Sequence, residues 1–239
     1  MLWMTVLFIA MAYLESAVVV YLRALVGVPG SAMPMAPLSR ELVVTEAFRE
    51  AATLVMILAP SVMVAKSGLV RFAWFCFGFA VWDIFYYIWL YFLLSWPSSL
   101  SDPDLLFLLP VPWIGPVWAP CLISVGLIAL AVLLLRGAAV APGSRPSGLT
   151  WALLIAGGLL MILSFIWYPW QASFGFDDLH GGGATENAWI AAVLAGGDAA
   201  PGLFAWPWFM VGAALAGAGI ARLWLEFRGP TAHGNVEKV

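Results

Sequence analysis

Thr45-Glu46-Ala47-Phe48-Arg49-Glu50-Ala51-Ala52-Thr53 lies inside a run whose other residues read as a membrane-spanning helix. Three ionisable side chains, Glu46, Arg49 and Glu50, stand where hydrocarbon should surround them. Charged side chains in such segments are costly and turn toward a bundle interior or a water-filled cavity. The rest of the chain is therefore expected to be a multi-helix scaffold that shields them.

Composition agrees with that expectation. The 239 residues are 64% hydrophobic and only 10% charged, whereas a soluble domain carries about 25% charged residues. Mean hydropathy is +0.98. Apolar segments fall at about 2–24, 42–65, 69–95, 116–136, 149–168 and 203–226. Each is close to the roughly 20 residues that cross a bilayer, and the chain length suits about six such spans. The predicted fold class is an all-α, polytopic transmembrane helix bundle forming a single domain over residues 1–239.

The net charge of -3 comes without a basic patch, which argues against nucleic acid as a partner. Met1 to Met4 carry no Lys or Arg and Glu15 interrupts the first apolar run, so that run is expected to be a retained helix rather than a signal peptide. Cys76 and Cys121 both fall in apolar runs and are read as small hydrophobes, since no CxxC or Cys/His spacing accompanies them.

Lys and Arg in the short loops set the expected orientation. Lys66, Arg71, Arg136, Arg145, Arg222, Arg228 and Lys238 gather on one side, while Asp102, Asp104, Asp177, Asp178, Glu186 and Asp198 occupy the third and fifth loops. Both termini are thus expected to be cytoplasmic, in a cell membrane of the bacterial inner-membrane type. Arg23 and Arg40 are exceptions on the outer side. Trp3, Trp96, Trp113, Trp118, Trp151, Trp167, Trp170 and Trp206 are expected to form aromatic belts at the span ends.

Two outer loops exceed a simple connection. Residues 97–115 mix apolar side chains with prolines and are expected to lie in the interface or dip into the bundle, because backbone without partners is not tolerated against lipid. Residues 171–202 contain Gly181-Gly182-Gly183 and a predicted interfacial helix from about Thr185 to Leu194, capped by Thr185 with Glu186 in its first turn. Asp177, Asp178 and His180 in this loop are weighed as metal ligands and read as solvated.

Helical periodicity decides which side chains meet. Glu46, Arg49, Glu50 and Thr53 follow i, i+3, i+4, i+7 and share one face. Cys76, Ala80, Asp83, Tyr87 and Tyr91 line a stripe in the third span, with Tyr86 beside it. In the first span Glu15, next to Ser16, sits about two turns below Arg23. At a rise of ~1.5 Å per residue, Glu15, Glu50 and Asp83 lie ~13, ~12 and ~18 Å below the outer helix ends. Three helices place acids in one layer.

If unpaired, Glu15, Glu46, Arg49, Glu50 and Asp83 would together cost on the order of 12 kcal/mol. They must face one another, and one Arg cannot neutralise four carboxylates. Either a carboxyl is protonated or a cation completes the site. A buried network that only locks helices together, with Tyr86 and Tyr87 donating hydrogen bonds, is the competing explanation. A metal shared by Glu46 and Glu50 is weaker, because no His stands nearby as a di-iron pattern wants. The small-residue faces at Gly157-Gly158, Gly212, Gly217 and Gly219 point to helix packing, and Pro60 and Pro207 are expected to kink their helices.

The run Val81-Trp82-Asp83-Ile84-Phe85-Tyr86-Tyr87, with Trp96-Pro97 and Leu109-Pro110-Val111-Pro112-Trp113-Ile114-Gly115-Pro116, resembles a group of bacterial multi-pass membrane proteins of uncharacterised activity. The resemblance covers about the first half of the chain and implies no reaction. His180 and His233 are the only histidines and lie outside the spans, and no span interior holds a Lys. A b-type haem bundle, a retinal protein and a His-box desaturase are therefore disfavoured.

Three functions fit. The first is a proton- or cation-coupled permease using Glu50 and Asp83 as exchange sites, with Arg49 tuning them, Glu15, Glu46 and Tyr87 around them, and Arg23 and Tyr86 in support. The second is a non-catalytic subunit or assembly partner that docks another protein at its outer loops. The third is a membrane enzyme using carboxylates as acid and base on a lipid-soluble substrate. No catalytic residue, metal ligand or cofactor is assigned.

Overall fold

A computed structural model describes residues 1–26, 40–108, 111–173 and 204–228. The expected interfacial helix at Thr185, the Asp177/Asp178/His180 group and the side chain of Arg40 lie outside the described residues. Six helices are present among them: α1 (Leu2–Val26), α2 (Arg40–Val64), α3 (Gly68–Leu94), α4 (Trp118–Val140), α5 (Gly148–Ser173) and α6 (Trp206–Arg228). Between α3 and α4 stand two short strands, β1 (Pro103–Leu105) and β2 (Ile114–Pro116). The all-α bundle matches the expectation, and the helix bounds follow the apolar segments closely.

Five helices, α1, α3, α4, α5 and α6, are long and apolar enough to cross a membrane, which makes this a multi-pass membrane protein. The sixth, α2, is 25 residues long like α1 but carries Glu46, Arg49 and Glu50 in its first half. Its two faces differ sharply. Glu46, Glu50, Thr53 and Ser61 are buried, whereas Phe48, Val55 and Met63 are exposed. Polar inside and apolar outside is the arrangement of a helix whose surroundings are lipid.

α3 is the hub, packing against α1, α2 and α4, while α5 and α6 form the most extensive pair and α4 joins them through α6. One apolar core gathers Phe8 and Ala12 from α1, Phe77 and Val81 from α3, Leu134 from α4 and Leu223 from α6. A second, of Ala119, Met161, Phe165, Phe204 and Phe209, fills the space between α4, α5 and α6. Polar contacts also cross between helices. Ser16 Oγ donates to Tyr86 O at 3.0 Å and Trp89 Nε1 donates to Ile9 O at 3.2 Å, joining α1 to α3.

Helix ends are specified locally. Ser67 caps α3 by accepting from Val70 N at 3.3 Å, and Ser95 ends it in the left-handed region at φ 54°. The start of α5 is held from another helix: Glu226 of α6 accepts from Ser147 N at 3.1 Å, Ser147 Oγ at 2.6 Å and Thr150 Oγ1 at 2.7 Å. A carboxylate there takes up one amide and two hydroxyl donors at the positive end of the helix.

The strands pair antiparallel, Asp104 opposite Gly115, and Leu106 N and Trp113 N extend the ladder to Trp113 O at 2.8 Å and Phe107 O at 2.7 Å. This hairpin, from the proline-rich loop expected to lie in the interface or dip into the bundle, packs against the helices. Ile114 is 1% exposed and Val117 is fully buried. Gly115 lets it approach α5, since a Cβ there would lie 2.5 Å from the Phe165 ring.

Several expectations need correction. Tyr91 is 58% exposed, because the stripe on α3 turns outward by its last turn. Trp96 is 3% exposed and belongs to the core with Tyr87, Leu90 and Val117, so it is no belt residue. Pro207 falls in the first turn of α6, where a missing N–H costs no helical bond, so it starts the helix instead of kinking it. Gly158 and Gly217 have open space where a Cβ would go and do not serve the packing face.

Gly157 and Gly212 do serve it. A Cβ on Gly157 would lie 2.6 Å from Ala216 N and 2.7 Å from Gly212 O, backbone atoms that cannot yield. Gly157→Ala is therefore expected to destabilise the α5–α6 pair by about 1–3 kcal/mol, while Gly158→Ala is tolerated. Thermal unfolding in detergent checks this, and equal behaviour of the two variants would contradict the packing.

Candidate functional site

The site is built from four segments. α1 contributes Glu15 and Arg23, α2 contributes Glu46, Arg49 and Glu50, and α3 contributes Asp83, Tyr86 and Tyr87. The stretch from Asp104 to Leu108 roofs them. All of these residues line one cavity, with about 70 Å³ open to the centres of water-sized molecules. At roughly 10–15 Å³ of such space per water, this has room for several.

Arg49 is the centre of the ion pairing. Its Nε donates to Glu46 Oε2 at 2.6 Å, and its Nη1 pairs with Glu15 Oε1. Thr53 Oγ1 donates to the other oxygen of Glu15 at 3.1 Å. The i, i+3, i+4, i+7 face of α2 thus acts as the periodicity requires, and it reaches across to α1.

The remaining carboxyls have different partners. Glu50 accepts from Leu108 N with both oxygens, at 3.1 and 3.0 Å, which ties α2 to the roof. Asp83 accepts from Ser124 Oγ of α4 at 2.8 Å, which ties α3 to α4. Asp104 accepts from Tyr87 OH at 2.8 Å and from Leu105 N at 2.9 Å. Arg23, 4% exposed, lies over the Trp96 ring at 5.6 Å from its centroid.

Glu15, Glu46, Arg49, Glu50, Asp83, Tyr87, Arg23 and Tyr86, all singled out from sequence, are brought together at this cavity. Asp104, counted from sequence only among the loop acids that set the orientation, is 4% exposed and joins the cavity. The signal was the apolar run from Leu105 to Leu108, which carries its neighbour inward. Ser124 and the Leu108 amide had no local signal at all. With Asp104 included, five carboxyl groups and two guanidinium groups line the cavity, so acid exceeds base.

Chemically, this arrangement can accept a proton or a cation, and its tyrosines can donate to or relay between carboxylates. Among the described residues no three His, Cys, Asp or Glu side chains are grouped so as to hold a metal ion. Cys76 and Cys121 are free thiols, the first buried. Compared with protein-family models, curated proteins and solved structures, the chain finds no match.

Asp104 stands outside the spanning helices, and burial pushes its carboxyl up to about 6 against the pull of Tyr87, the Leu105 amide and Arg23. The folded hairpin thus binds this proton more tightly than the unfolded chain. Its contribution to stability is greatest below the ordinary aspartate value of 3.8 and is lost as pH rises through about 6. Asp104→Asn is expected to remove that part of the pH dependence while still accepting from Tyr87. Melting temperatures of both proteins between pH 4 and 7 check it, and parallel curves would contradict it.

Proposed function

We propose that the protein is a small proton- or cation-coupled permease of a cell membrane, with the cavity between α1, α2 and α3 as its exchange site. What supports this reading is one observation: five carboxyl groups and two guanidinium groups face a single cavity in the bundle. Ionisable groups at membrane depth mark ion and substrate pathways by default. A purely structural network would be expected to balance its charges more closely.

Glu50 is the central exchange group in this reading. Its carboxylate holds the roof through Leu108 N, so a proton or cation arriving at Glu50 competes with that amide. Loading the site then loosens the roof, which couples occupancy to access. Arg49 pairs with Glu15 and Glu46 beside it, and Tyr87 and Asp104 hold the hairpin's other edge to α3. The distribution of Lys and Arg supports cytoplasmic termini, with the hairpin on the outer side.

Glu50→Gln keeps an acceptor for Leu108 N and removes the exchangeable charge. In proteoliposomes carrying an internal pH-sensitive dye, the wild type is expected to take up protons under an imposed gradient and Glu50→Gln to lose uptake while inserting normally. Unchanged uptake in the variant rejects the assignment. A folded wild type with no flux favours the non-catalytic subunit, tested by co-purification of a stoichiometric partner.

A further inference from the structure

Several segments meet at the end of the bundle opposite the hairpin roof. The Phe72 ring near the start of α3 lies 5.6 Å from the Trp151 ring near the start of α5. Phe227, near the end of α6, packs over Gly137 near the end of α4. Ser147 N, just before α5, donates to Glu226 of α6 at 3.1 Å. These contacts gather Lys66, Arg71, Arg136, Arg145, Arg222 and Arg228 at one end, where Glu226 is the one acid among the described residues. All six but Arg71 are exposed. Glu226 is turned onto Ser147 and Thr150 and reaches Arg222 at 3.5 Å, so most of the positive charge is left facing outward. We propose that this end is a docking surface for the phosphate headgroups of anionic phospholipids. The inference goes beyond the permease reading and stands without it.

Depth favours a lipid over a soluble acidic partner. At a rise of ~1.5 Å per residue, Arg71 stands ~5 Å inside the start of α3. Arg136 and Arg222 stand ~6 and ~9 Å inside the ends of α4 and α6. All three helices are long and apolar enough to cross a membrane. Long basic side chains on such helices run their stems along apolar surface and place their heads at the headgroup level. A partner in water meets Lys66 and Arg145 in the connecting turns, whereas lipid headgroups meet the whole group. Two tryptophans mark the same level: Trp151 in the first turn of α5 and Trp224, 44% exposed, in the last turn of α6. The Arg228 guanidinium lies over the Trp224 ring, 4.0 Å from its centroid, which holds it in that layer. A guanidinium pairs with a phosphate through two parallel N–H···O bonds, and basic clusters at span ends select anionic lipids. The opposite end shows no such excess: among the described residues Glu41, Asp102 and Asp104 stand there with Arg23.

The test is native mass spectrometry of the intact protein released from nanodiscs of equal parts phosphatidylglycerol and phosphatidylcholine with the same acyl chains. The retained lipid is expected to be enriched in phosphatidylglycerol about fivefold or more, the gain from one engaged basic side chain. Arg136→Gln/Arg222→Gln/Arg228→Gln is expected to bring the ratio close to one, and lysine at the same three positions to keep most of the enrichment. Equal retention of the two lipids by the wild type overturns the inference and leaves this end to a soluble acidic partner. An enrichment that survives in the glutamine variant overturns it too, because the excess then sits elsewhere on the protein. Should that variant lose its melting transition, Arg136→Gln and Arg228→Gln alone decide in its place: each is expected to lower the ratio, and unchanged ratios in both overturn the inference. Proton uptake by a protein that retains both lipids equally leaves the permease reading standing.

Discussion

The reach of Arg49 from α2 to Glu15 of α1 is the interaction on which the cavity depends. The two helices have little backbone contact with each other and are both held by α3. Arg49 and Thr53 bridge the gap with side chains. A gap spanned by polar side chains is a cavity; the same gap closed by apolar packing would be a core. Buried ion pairs add little net stability compared with well-packed hydrophobes, but removing one partner typically costs about 3–5 kcal/mol. The pairing therefore constrains which helices meet more than it stabilises the fold.

The bundle divides its tasks. α5 and α6 meet through glycines and carry their charged contact at one end, where the half-buried Glu226 closes the start of α5. Their packing is close and apolar. On the other side α1, α2 and α3 enclose polar groups, and the hairpin between α3 and α4 covers them. Glu50 to Leu108 N and Tyr87 to Asp104 fasten that cover at two points on two helices. Both fastenings use carboxylates of the site, so the roof and the site cannot change independently.

Much of this was legible from spacing alone. Glu46, Arg49, Glu50 and Thr53 share a face because 3.6 residues complete a turn, and depth counting put Glu15 and Asp83 near the same layer. What spacing cannot supply is contact between segments distant in sequence. Ser124 is one hydroxyl in a long apolar run, and only the α3–α4 packing brings it to Asp83. Asp104 counted only as one acid of a long loop, and it is the hairpin pairing that sets it against Tyr87. Trp96 and Tyr91 were misplaced for a related reason. Span ends are where belts form, but the left-handed turn at Ser95 sends Trp96 inward, and Tyr91 faces out.

The most direct measurement is a double-mutant cycle on Arg49→Met and Glu15→Gln, read from unfolding free energies in detergent. If Arg49 ties α1 to α2 across the cavity, each single variant destabilises strongly and the pair together costs much less than the sum, with a coupling of about 1–3 kcal/mol. Additivity within about 0.5 kcal/mol would mean that the two side chains do not meet, and the cavity built around them would have no basis.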